Sequence, residues 1–234
     1  MLLSEIFEYL SYGELSQLAL GSADDGGIQS KDYPKVISYI NLALIELYKR
    51  FSLREKQLII QLDDSITDYK LHNDYAVSNT ESAEPIKYII DTAQVPFTND
   101  VLQIERIKNA DDEEFVLNDL DEDLSLYTPT YDIIQISYPE DETTMTVTYR
   151  AYPDKISLQG TSPSGTEVAL PEQLLEALLA YVAHRAYGSM QTTEGAQGTT
   201  YYSKFLAAVR TVKETGGILE INNSNHRLDS NGWQ

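Results

Sequence analysis

His72, His184 and His226 are the first places to look for chemistry in this chain. A zinc site of the metallopeptidase kind needs two histidines one helical turn apart beside a glutamate, and no pair has that spacing. His184 falls in a helical pattern between Tyr181 and Tyr187, where a packing or hydrogen-bonding role is expected. Cysteine is absent, which excludes disulfides, thiol nucleophiles and thiolate metal ligands together. No Gly-x-Ser-x-Gly elbow, phosphate-binding glycine loop with lysine, or dinucleotide fingerprint occurs. Carboxylates are abundant, and a glycosidase pair is defined by separation in space, so a carboxylate-dependent glycoside hydrolase stays open as an alternative. Asp119, Asp121 and Asp123 have the alternate spacing of calcium-loop ligands, but the sixth position is Leu124 where glycine is needed and the twelfth is Thr130 where glutamate is needed. The segment therefore reads as a solvated acidic loop. No catalytic, cofactor-binding or metal-ligating residue is assigned, and no enzyme activity is expected.

What the carboxylates do supply is charge. The 234 residues hold 37 acids against 17 basic residues, a formal −20. A nucleic-acid binder ordinarily carries a basic footprint, so this charge opposes adhesion to DNA while permitting DNA to slide past. The excess is local: between Asn109 and Tyr149 there are twelve acids and no Lys or Arg. Asp111, Asp112, Glu113, Glu114, Asp119, Asp121, Glu122 and Asp123 are its densest part and form a candidate acidic face, turned to a DNA channel or to a partner. Screening limits its reach to about 8–10 Å at physiological salt. Seventeen tyrosines against one tryptophan add a surface signal, because tyrosine offers large contact area at low entropic cost. That favours assembly and keeps a glycan-binding module as a second alternative.

The elements that must carry these residues follow from periodicity. Tyr33, Val36, Ile37, Ile40, Leu44, Leu47 and Phe51 recur every three or four positions, with Asp32 and Pro34 suited to the start, so residues 32–51 are expected to form a core helix. Before it, residues 2–20 read as one or two short helices broken near Gly13. After Arg54 the pattern alternates, and residues 57–152 are expected to form a small antiparallel sheet or sandwich. Its strands are expected at Val101–Ile107, Phe115–Leu117, Tyr131–Tyr138 and Thr144–Tyr149. Helices return at 171–187, with Pro171 at the first position, and at 201–215 after a glycine-rich loop over 188–198. Residues 218–234 have no helical period. No apolar run approaches the roughly 20 residues that cross a bilayer. The opening ten residues carry two glutamates and no basic residue, so they read as a first helix and not as a leader.

Several of these segments resemble one family. Asp32–Phe51, with its Tyr39-Ile40-Asn41-x-Ala43 core, resembles the early helix of head-to-tail adaptor proteins of tailed bacteriophages. Thr146-Val-Thr-Tyr-Arg-Ala-Tyr-Pro153, then Leu170-Pro171 leading into the helix through His184 and Tyr187, then Tyr201-Tyr-Ser-Lys-Phe-Leu206, are similar to the close of the same proteins. The resemblance covers most of residues 30–215 and rests on packing motifs.

It implies an α+β fold: an α-helical bundle scaffold with an inserted antiparallel β domain and an extended C-terminal arm. The expected divisions are helices of the adaptor body at 1–56, an acidic β insertion at 57–156, further body helices at 157–216, and an arm at 217–234. The family forms a homo-oligomeric ring, typically of about twelve copies closed by repeated heterologous contacts. That ring sits in the virion neck, docked on the portal protein, extends the DNA channel and presents a platform for tail or neck proteins. Arm residues Ile218, Leu219, Ile221, Arg227, Leu228 and Trp233 would grip the portal, since unstructured segments can fold on a partner. DNA would only pass through, and no membrane, metal or cofactor is implied.

Overall fold

A computed structural model of the chain describes residues 1–16, 18, 28–122, 125–158, 162–188 and 194–216. It has the α+β character expected, and divides into two compact units: Met1–Ser52 with Pro153–Gln234, and Leu53–Tyr152.

The first unit holds helices α1 (Leu3–Tyr12), α2 (Tyr33–Arg50), α3 (Leu175–Gly188) and α4 (Glu194–Glu214). Helix α1 begins where the Leu2 amide donates to the Glu5 carboxylate at 2.7 Å, and ends at Gly13, whose amide donates to Tyr9. A side chain there would bring a Cβ within 2.7 Å of the Tyr9 carbonyl oxygen, so glycine is required by close approach. On α2, Val36, Ile37, Ile40, Ala43, Leu44, Leu47 and Tyr48 are buried, one wide apolar face set by the 3.6-residue period. Asp32 occupies its cap position without a side-chain capping bond, and Pro34 sits in the first turn.

The later helices depart from expectation in their starts. Pro171 leads into a 3-10 turn, Glu172–Leu174, and α3 begins only at Leu175. Helix α4 starts at Glu194, inside the stretch expected to be a glycine-rich loop. Gly198 explains this: it is buried in α4, and a Cβ on it would lie 3.0 Å from the Gly188 nitrogen and 3.1 Å from its Cα. The glycine lets two helix backbones meet. It does not loosen the chain.

In the second unit, strands β1 (Glu55–Gln61), β2 (Asp68–Lys70), β3 (Ile89–Ile90), β4 (Val101–Lys108), β5 (Tyr127–Thr130), β6 (Ile133–Gln135) and β7 (Thr144–Ala151) form two antiparallel sheets. Their orders are β3-β1-β7-β4 and β2-β6-β5. Leu58 and Ile60 of β1, Met145, Val147 and Tyr149 of β7, Ile107 of β4, and Tyr69 and Ile134 of the smaller sheet share one core, so the unit is a sandwich. The alternation read at Thr144–Tyr149 holds on its inner side, where Met145, Val147 and Tyr149 are buried. Phe115–Leu117 is not a strand. It is tied only by isolated bridges on either side, Lys108 to Glu114 and Leu117 to Leu126. The stretch expected as one strand over Tyr131–Tyr138 is shorter, Ile133–Gln135, paired in a hairpin with β5.

Candidate functional site

The residues that carried the family resemblance are structural fasteners. Asn41 on α2 faces Ile156, donating from Nδ2 to the Ile156 carbonyl at 3.0 Å and accepting at Oδ1 from its amide at 2.9 Å. Tyr48 donates to the Ala169 carbonyl at 3.0 Å. Tyr187 of α3 and Tyr201 of α4 stack with centroids 5.2 Å apart, and both hydroxyls donate to the Glu14 carbonyl, at 3.0 and 3.2 Å. His184 donates from Nδ1 to the Gly198 carbonyl at 2.8 Å and lies against Tyr181 and Tyr202. It has the hydrogen-bonding role expected of it. In the β unit Asp100 gathers the Tyr149 hydroxyl at 3.0 Å and the Lys56 ammonium at 2.6 Å, while its carbonyl accepts from the Tyr152 amide at 2.8 Å. Burial is the main cause that pushes the Tyr149 phenol above its ordinary pKa, with the Asp100 charge acting in the same direction.

Two of the acid-rich segments, 111–114 and 140–142, lie at one end of the β unit. Strand β1 enters from Leu53 and β7 leaves through Tyr152, and their antiparallel pairing sets both passages at the same end. The opposite end is built from the turn after β4, the approach to β7 and the exit of β1. There the Glu142 amide donates to Leu62, and the Leu62 amide to Thr143. Residues 53–152 hold 22 of the 37 acids and 7 of the 17 basic residues, a formal −15 of the chain's −20.

Asp111, Asp112, Glu113 and Glu114 are exposed on the turn closing β4. Asn109 organises it, its Oδ1 accepting from the amides of Asp111 at 3.0 Å and Glu113 at 2.9 Å. Asp112 takes the left-handed backbone conformation at φ 67° and pairs with Lys108 at 2.8 Å. Asp119, Asp121 and Glu122 follow on a second loop, in which Ser125 Oγ accepts from the Asp119 amide at 2.9 Å and Asp119 Oδ1 from the Asp121 amide at 3.0 Å. Asp123 lies outside the described residues, as do arm residues Ile218, Leu219, Ile221, Arg227, Leu228 and Trp233. Among the described residues no three His, Asp or Glu side chains gather as a metal-binding group. No described helix is long and apolar enough to cross a membrane.

Between the turn after β4 and the segment leading into β7 opens a cavity of about 400 Å3. Leu62, Leu126, Ile136 and Met145 form its floor, and Asp111 and Glu140 stand on its rim with Tyr138, which is 93% exposed. Sequence reading counted Glu140 among the acids yet did not join it to Asp111 or see the apolar floor. The lining is drawn from segments as far apart as Leu62 and Met145, and only strand pairing unites them.

The family model described as SU10 adaptor protein matches residues 10–226, across the helical unit and the β unit alike. A search of curated proteins returns no match. The family is structural in character and implies a phage virion component, which agrees with motif residues that here fasten helices and strands. On the extent of this match, the chain belongs to the SU10 adaptor protein family of phage structural adaptors.

Proposed function

We propose that the protein is a head-to-tail adaptor that docks on the portal as a ring, extends the DNA channel and offers the platform on which the tail is built. The observation that carries the reading is the family match over residues 10–226, on a chain whose motif residues serve packing. In this reading the unit of Met1–Ser52 and Pro153–Gln234 supplies the ring body, the acidic β unit meets other neck proteins, and residues 217–234 are the portal-gripping arm. A chain of formal charge −20 repeated around an axis gives a wall to which DNA does not adhere. Catalysis has no part in it.

The arm is tested by co-sedimenting purified portal rings with the full chain and with a chain ending at Gly216. The full chain is expected to sediment with the portal and the shortened one to stay in the supernatant. Equal co-sedimentation would remove the arm assignment.

A further inference from the structure

We propose that the cavity at the acidic end of the β unit is a socket for an extended segment of another virion protein, whose apolar or aromatic side chain enters while flanking Lys or Arg residues meet the rim. The inference deepens the adaptor reading and rests on it for the identity of the partner as a neck or tail component. Its occupant follows from what lines it. The floor is apolar, and its volume of about 400 Å3 exceeds what one aromatic side chain fills, leaving room for part of the backbone that bears it.

The rim is one-signed. Asp111 and Glu140 line the opening, and Asp112, Glu113, Glu114, Asp141 and Glu142 are exposed on the same two loops. The nearest base along these loops, Lys108, is already paired with Asp112. An anionic ligand or a nucleic acid would meet repulsion on every side, whereas a cationic segment is drawn in before contact. Charge alone would hold such a segment weakly and without register. The apolar floor supplies what charge lacks: an anchor buried in a pocket and ringed by polar contacts, the arrangement that concentrates binding energy in few residues. Tyr138, almost fully exposed beside the opening, is placed to stack on the anchor or on a flanking guanidinium.

The test uses the full chain and three fluorescein-labelled peptides at physiological salt: Lys-Lys-Trp-Lys-Lys, its serine analogue Lys-Lys-Ser-Lys-Lys, and Glu-Glu-Trp-Glu-Glu. Fluorescence anisotropy is expected to rank the tryptophan peptide at least about tenfold tighter than the serine analogue, with no binding of the acidic one. Ser137→Trp, a change at an exposed position that occupies the opening, is expected to abolish the preference for tryptophan. Asp111→Asn with Glu140→Gln is expected to weaken the basic peptide about tenfold. Equal affinity for the tryptophan and serine peptides, or an unchanged preference in Ser137→Trp, would overturn the socket. Portal docking measured on the same preparations separates the two readings: a chain that joins the portal but does not discriminate the peptides defeats the socket alone.

Discussion

Asn41 shows what a single residue does in this protein. Its amide satisfies both the carbonyl and the amide of Ile156, the backbone just past the point where the chain returns from the β unit. Replacing it by leucine keeps the volume and leaves two half-buried backbone groups unpaired. Asn41→Leu is expected to lower stability by about 1–3 kcal/mol in urea unfolding, and Asn41→Asp, which keeps only the acceptor, to fall between. An unchanged midpoint would mean that water replaces the lost bonds. Asp91 is a second fastener. It accepts from the Ser78 amide at 2.8 Å and hydroxyl at 2.5 Å and from the Phe97 amide at 2.9 Å. Desolvation pushes its pKa up, but these hydrogen bonds together outweigh it and hold the carboxyl below its ordinary 3.8. A depressed folded-state pKa contributes stability above the ordinary value and loses it as pH falls through 3.8 toward the lower folded value. Asp91→Asn should therefore cost stability at pH 7, about 1 kcal/mol after solvent screening, and close the gap to wild type below pH 3.8.

At the scale of elements, the helices were legible because their apolar stripes run for several turns. Positions 36, 37, 40, 44 and 47 mark α2, and the structure buries every one of them. The start of α4 was not legible, because glycine and threonine in a row look like a loop until the partner helix is known. Gly198 against Gly188 is the deciding contact. Gly198→Leu should force α3 and α4 apart and cost about 1–3 kcal/mol. Gly188→Ala meets nothing within 4 Å and should be neutral or stabilising by up to about 1 kcal/mol. Thermal unfolding of the two variants side by side checks the contrast, and equal effects would mean that α4 is not held by this contact. Strands β2 and β3, of three and two residues, were beyond sequence reading because so short a run carries no alternation. The same limit hid the cavity. The acid-rich turns were visible as charge, but their convergence on an apolar floor depends on the pairing of β1 with β7 and β4 with β7.

For the whole molecule, charge is the property that sequence and structure describe together. A formal −15 on residues 53–152 repels itself, and salt shortens the reach of that repulsion from about 30 Å at 0.01 M to about 3 Å at 1 M. Melting of the chain followed through its β signal should shift upward between those salt concentrations, and a downward shift would show that ion pairs such as Lys56 with Asp100 outweigh the repulsion. In a ring the same charge is multiplied by the number of copies, and partners that bind it should carry the opposite sign. Family membership, motif residues that fasten, and a strongly acidic β unit support the proposal of a protein that is gripped by its neighbours. Electron microscopy of the full chain mixed with its portal tests this most directly. The result expected is a closed ring of added density on the portal, in register with the portal's symmetry. Bare portals beside single, unassembled chains would contradict it.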